Sequence, residues 1–97
     1  MKIDKNVNGS ELVIKLDGRL DTNTSYKLEE EIGNLAQVDN LVFDFNNLEY
    51  ISSAGLRILL ICQKKMTGQK TMVIRNVNDE IKEIFDITGF SNILTIE

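Results

Sequence analysis

Hydrophobic and polar positions change their period several times along the chain, and each change marks an element. Ile3 to Val7 and Leu12-Val13-Ile14-Lys15-Leu16 read as two strands, joined through Asn8-Gly9, a dipeptide that takes the positive φ angles of a type I′ turn. A hairpin therefore opens the chain, with Gly18 ending its second strand. After Asp21-Thr22-Asn23, the residues Leu28, Ile32, Leu35 and Ala36 recur at helical spacing opposite Glu29, Glu30 and Glu31, which predicts an amphipathic helix. Leu41, Phe43 and Phe45 then alternate with Val42 and Asp44 in a third strand. A second helix begins near Ser52-Ser53 and continues through Leu56 to Lys65. Gly68-Gln69-Lys70 turns into a strand from Thr71 to Arg75. Asn78 caps a third helix with Asp79 and Glu80 in its first turn, Ile81, Ile84 and Phe85 on its apolar face, and Gly89 in the left-handed position after its end. Ile93 to Ile96 supply a last short strand.

Helices and strands alternate after the hairpin, and alternating units favour parallel pairing through crossovers. The expected class is α/β: a mixed sheet opened by an N-terminal hairpin, with helices packed against it. Ninety-seven residues, 42% hydrophobic and 27% charged, suffice for one core and not for two, so a single domain over residues 1–97 is expected. The chain contains no proline, no repeat and no low-complexity tract that would mark a linker.

The charge balance narrows the partners. Eleven basic and fifteen acidic residues give a net charge of −4, and the basic ones are scattered and form no stripe, which argues against nucleic acid or an anionic membrane. No stretch reaches the roughly eighteen apolar residues of a membrane span. Met1-Lys2-Ile3-Asp4-Lys5 lacks the apolar core of a signal peptide, so the expected compartment is the cytoplasm. Cys62 is the lone cysteine and there is no histidine, which removes an internal disulfide and the usual zinc or copper ligand sets. Cys62 lies amid Ile58, Leu59, Leu60 and Ile61 and reads as a buried, inert thiol; Met66 and Met72 read as core. No cofactor is implied. Nothing in the sequence demands more than a monomer.

Candidate chemistry concentrates in Glu49-Tyr50-Ile51-Ser52-Ser53-Ala54-Gly55-Leu56-Arg57, where two serines meet a strand-to-helix crossover. A Ser-His-Asp hydrolase is excluded because no histidine exists to take the hydroxyl proton. Lys64 and Lys65 lie about three helical turns beyond Ser53, too far along the helix to serve as its base. There is no phosphate-binding glycine loop and no dinucleotide fingerprint. The carboxylates Asp17 with Asp21, and Asp44 with Glu49, read as solvated or capping groups, leaving magnesium-assisted chemistry only a formal option. By spacing alone, Ser52 or Ser53 caps the helix and satisfies a backbone N–H, a role compatible with modification.

The run Leu48-Glu49-Tyr50-Ile51-Ser52-Ser53-Ala54-Gly55-Leu56 resembles the signature of STAS domains, and in particular the stand-alone bacterial anti-sigma factor antagonists. Gly18-Arg19-Leu20-Asp21 before a helix is similar to the family's Gly-x-Leu-Asp segment, and Phe85-Asp86-Ile87-Thr88-Gly89-Phe90 to its last helix and turn. The resemblance covers nearly the whole chain. It implies a binding protein and not an enzyme: unphosphorylated, such a protein binds an anti-sigma factor that is also a serine kinase, the sigma factor is released, phosphorylation breaks the complex, and a serine phosphatase restores it.

Aligning Gly55-Leu56 with the family pattern puts the phosphate acceptor at Ser53. Ser52 then stands where relatives carry aspartate, and Ala54 where they carry a second hydroxyl; whether Ser52 is instead the acceptor stays open. The implied partner-binding edge comprises Asp21, Thr22, Asn23, Ser52, Ser53, Ala54, Gly55 and Arg57. For Asp21 or Thr22 the simpler role is a cap on the first helix. For Arg57 it is a solvated surface charge in place of a contact to the partner or to a phosphate on Ser53. The alternative reading is a STAS adaptor that is never phosphorylated and works in a larger signalling or transport assembly.

Overall fold

Alternation of Leu12, Ile14 and Leu16 with more polar neighbours produces β2 (Glu11–Leu20), which pairs antiparallel with β1 (Lys2–Asn8) in the computed structural model, where residues 1–97 are described. The chain continues through α1 (Thr22–Ile32), β3 (Asn40–Ile51), α2 (Ser53–Lys65), β4 (Thr71–Arg75) and α3 (Asp79–Thr88), and closes with a 3₁₀ turn at Phe90–Asn92. Sheet order is β1-β2-β3-β4, with β2, β3 and β4 mutually parallel. The expected α/β class and mixed sheet are both present. No helix is long and apolar enough to cross a membrane.

Several boundaries differ from the sequence expectation, each for a local reason. Asn8 pairs with Glu11, so the turn's central residues are Gly9-Ser10 and not Asn8-Gly9. Gly9 alone takes a positive φ, 63°, the sign pattern of a type II′ turn and not of type I′. Gly18 does not end β2: it sits at a register shift with φ 111°, a bulge that only glycine takes without strain, and the strand runs on to Leu20. Leu35 is buried, but it lies beyond the helix with exposed Ala36, because α1 stops at Gly33 and the chain turns there. β3 extends well past Phe45, to Ile51, because it keeps pairing with the end of β2. The last strand is reduced to one bridge, Ile96 with Ile74: the 3₁₀ turn uses up the residues before it. α3 meets the expectation, with Asn78 capping Ile81 at 2.8 Å and Gly89 in the left-handed region.

A single core cluster joins the inward residues of the strands with those of all three helices, among them Leu28, Leu59 and Phe85. Phe43, Phe45 and Phe85 are fully buried, and truncating one to alanine is expected to cost about 3–5 kcal/mol. Because every helix contributes to this one cluster, the helices cover one face of the sheet. The other face carries Val13, Val42 and Val73 in one cross-strand row, and Asp4, Lys15, Asp44 and Arg75 in the next.

Candidate functional site

Leu20 and Ile51 are directly paired at the ends of two parallel strands, and each is followed at once by a helix cap. The Ser52 N–H donates to the Leu20 carbonyl at 2.8 Å, which holds the two strand ends level. The starts of α1 and α2 therefore open side by side at the carboxyl end of the parallel strands, the edge where α/β sheets ordinarily present their binding sites. Asp21-Thr22-Asn23 and Ser52-Ser53-Ala54 are brought together as neighbouring segments of this edge.

The start of α1 is tied from both directions. Asp21, and not Thr22, is its N-cap: the Thr24 N–H donates to the Asp21 carboxylate at 3.0 Å, and the Asp21 N–H donates to the Thr24 hydroxyl at 2.8 Å. The Thr24 hydroxyl in turn donates to the Arg19 carbonyl at 2.7 Å, and buried Ser25 donates to the Asp21 carbonyl at 2.6 Å. Hydrogen bonds from Thr24, its backbone N–H first, hold the Asp21 carboxyl below the ordinary aspartate value and so ionised. Thr22 and Asn23 are exposed on the first turn.

The start of α2 is held more lightly. Ser52 is the N-cap, and its hydroxyl accepts one bond, from the Gly55 N–H at 3.3 Å. Ser53, the first helical residue, is exposed and takes no part in that cap. Ala54 is half-buried. Gly55 is buried: a Cβ there would come within 2.8 Å of the Ile51 side chain and 2.9 Å of Leu20. Its contribution is thus a close approach of α2 to the paired strand ends, and it offers no surface. Arg57 is exposed one turn beyond Ser53, at the i,i+4 spacing that places two side chains on one helix face.

Two features of this edge lie outside the expected site. Thr24 is one, although Asp21-x-x-Thr24 carries the spacing of a capping box. Arg19 lies over the Tyr50 ring at 4.2 Å from its centroid, beside the Leu20–Ile51 pair. That pairing is invisible until the register of β2 on β3 is known, because Gly18 and its bulge shift it.

The remaining carboxylates do not converge into a catalytic set. Burial pushes the Asp44 carboxyl up, but hydrogen bonds from Asn76 and the Asn46 N–H, with the charges of Lys15 and Arg75, outweigh it and leave the group below its ordinary value. Asp17 and Glu49 instead line an open cavity of about 740 Å³ with Asn46, Asn47, Asp79 and Glu80. No three histidine, cysteine or acidic side chains are grouped to hold a metal ion. Burial pushes the Cys62 thiol up to about 11, in keeping with an inert core residue.

A sequence profile of the STAS domain matches residues 2–97. BtrV of Bordetella bronchiseptica, named as an anti-sigma factor antagonist, is 34% identical over 90 residues, covering 88% of this chain and 76% of its own. The anti-sigma F factor antagonist of Paenibacillus polymyxa is 30% identical over 91 residues, again covering 88% of this chain and 76% of that one. Among solved structures, the anti-sigma factor antagonist SpoIIAA in its unphosphorylated form superposes with a TM-score of 0.79 at 17% identity, covering 99% of this chain and 87% of that one. The Bacillus SpoIIAA in its phosphorylated form gives 0.78 at 17% identity, covering 99% and 91%. The fold is shared almost equally with both forms.

Proposed function

The chain belongs to the STAS domain family, and from that membership and the unequal helix starts we propose that it is an anti-sigma factor antagonist switched by phosphorylation at Ser53. Unphosphorylated, it binds an anti-sigma factor with serine kinase activity through the edge formed by Asp21, Thr22, Asn23, Ser52, Ser53, Ala54 and Arg57, and the sigma factor is released. Phosphorylation ends the binding and a serine phosphatase restores it. The protein acts by binding, with no chemistry of its own.

One observation carries the choice of acceptor: the Ser52 hydroxyl is engaged in the cap, while that of Ser53 is exposed at the first helical position. A phosphoserine adds about −1.5 to −2 charges. At the start of α2 it meets free N–H donors and the positive end of the helix dipole, which stabilise it by about 0.3–1 kcal/mol, and Arg57 stands one turn away on the same face. The domain therefore stays folded when modified. In a complex the same dianion is desolvated on an edge that also carries the ionised Asp21, and a loss of about 2.8 kcal/mol weakens binding roughly a hundredfold.

The test is phosphopeptide mapping after incubation with ATP, magnesium and lysate from the protein's own cells, beside Ser53→Ala and Ser52→Ala variants. Phosphate on Ser53 that persists in Ser52→Ala and disappears in Ser53→Ala is expected. Phosphate on Ser52 moves the site. None at all, with an active lysate control, leaves an unmodified STAS adaptor.

A further inference from the structure

Parallel sheets are ordinarily covered on both faces, yet the parallel β2-β3-β4 segment has helices on one face only. The uncovered face has an ordered pattern. Val13, Val42 and Val73 line up across the three strands, with Val42 only 5% exposed although it lies outside the core cluster. The next row reads Asp4, Lys15, Asp44, Arg75 from β1 to β4, so the charges alternate in sign strand by strand. Within one chain this alternation supplies ordinary cross-strand pairing. Its order has a further property: read from the other edge of the sheet, every sign is reversed.

We propose that this face is a self-association surface, on which a second copy of the chain docks about a two-fold axis parallel to the strands and midway between β2 and β3. That operation exchanges β1 with β4 and β2 with β3 at unchanged height. Asp4 of one copy then faces Arg75 of the other, Lys15 faces Asp44, and Val13 faces Val42. A two-fold axis running across the strands through the charged row would instead set Lys15 against Lys15 and Asp44 against Asp44. The pattern therefore selects one isologous arrangement, the kind that closes as a dimer. Strand and row spacings give the face roughly 450 Å² on each copy, at the small end for protein interfaces, so the pairing is weak and concentration-dependent. Both Ser53 edges point the same way in the pair, which makes it bivalent on one side. The inference does not rest on the proposed anti-sigma role.

Sedimentation equilibrium of the full chain at physiological salt, from about 10 μM to about 1 mM, reads the association directly. The mean mass is expected to rise from the 11.0 kDa monomer towards the dimer. Lys15→Glu and Asp44→Lys, each checked for folding by circular dichroism, should each weaken association at least about tenfold by setting like charges face to face. The double exchange should restore it. A mass that stays monomeric at the highest concentration overturns the proposal, as do single reversals that leave association unchanged, or a folded double exchange that does not recover it. In the parent protein, isotope-filtered NMR on a mixed-label sample should show Val13-to-Val42 methyl contacts between copies. Association without those contacts assigns the dimer to another face and sinks the proposal without recourse to any variant.

Discussion

The starts of α1 and α2 follow directly paired strand residues and share one edge, yet they are built to different tightness. At α1 the Asp21 carboxylate and the Thr24 hydroxyl bond each other's backbone N–H, and a further bond ties Thr24 to the Arg19 carbonyl. At α2 a single 3.3 Å bond to the Ser52 hydroxyl does the capping, and the neighbouring hydroxyl is left out. Under the proposed phosphorylation, an edge that takes up a dianion without unfolding benefits from this division. One helix start fixes the frame, and the other exposes the hydroxyl to which the proposal assigns the phosphate.

The largest disturbance of this pair should come from the residue beneath both starts. Gly55→Val fills space already held by Leu20 and Ile51 and is expected to destabilise the domain by about 1–3 kcal/mol, read as a lower midpoint in urea unfolding. Next comes Thr24→Ala, which removes an acceptor and a donor from the tighter start; a loss of about 1–2 kcal/mol is expected. Ser52→Ala removes one longer bond and should cost about 0.5–1 kcal/mol, less than Thr24→Ala. A reversal of that order would remove the distinction between the two starts. Ser53→Ala should change stability by no more than about 0.5 kcal/mol, so any loss of phosphate acceptance in that variant is not a folding defect.

Titration sharpens the same contrast. The Asp21 carboxyl lies below the ordinary 3.8 in the folded state, so its ionised form contributes stability that is present above that value. This contribution is lost as pH falls through the lower folded value. Asp21→Asn should therefore be less stable than the parent near neutrality, and the gap should narrow as acid unfolding is followed below about pH 3.8. A constant gap would detach the carboxylate's charge from the cap.

Much of this architecture was legible in the residues because it is written in short-range chemistry. The cap at Asn78 with Asp79 and Glu80, the strand Thr71–Arg75 after Gly68, and burial of Cys62 and Met72 all follow from local patterns that the fold does not override. What failed depended on pairing. Gly18 reads as a stop but serves as a bulge, because β2 has a neighbour to keep following. Leu35 has helical spacing and a core role without a helical backbone, since burial is satisfied equally well from the turn after Gly33. The serine pair was conspicuous in the sequence, but which hydroxyl is engaged in the cap depends on where the backbone leaves Ile51. The geometry at Gly55 likewise needed three segments at once.

The stacking of Arg19 on Tyr50 also gives the chain an optical property. There are two tyrosines and no tryptophan, so ultraviolet emission reports tyrosine alone. Tyr50 is 38% exposed under its guanidinium beside the Leu20–Ile51 strand ends, and Tyr26 is 63% exposed on α1. A partner seated on that edge would change the surroundings of these rings, and the fluorescence of the unlabelled protein would register the encounter as it happens.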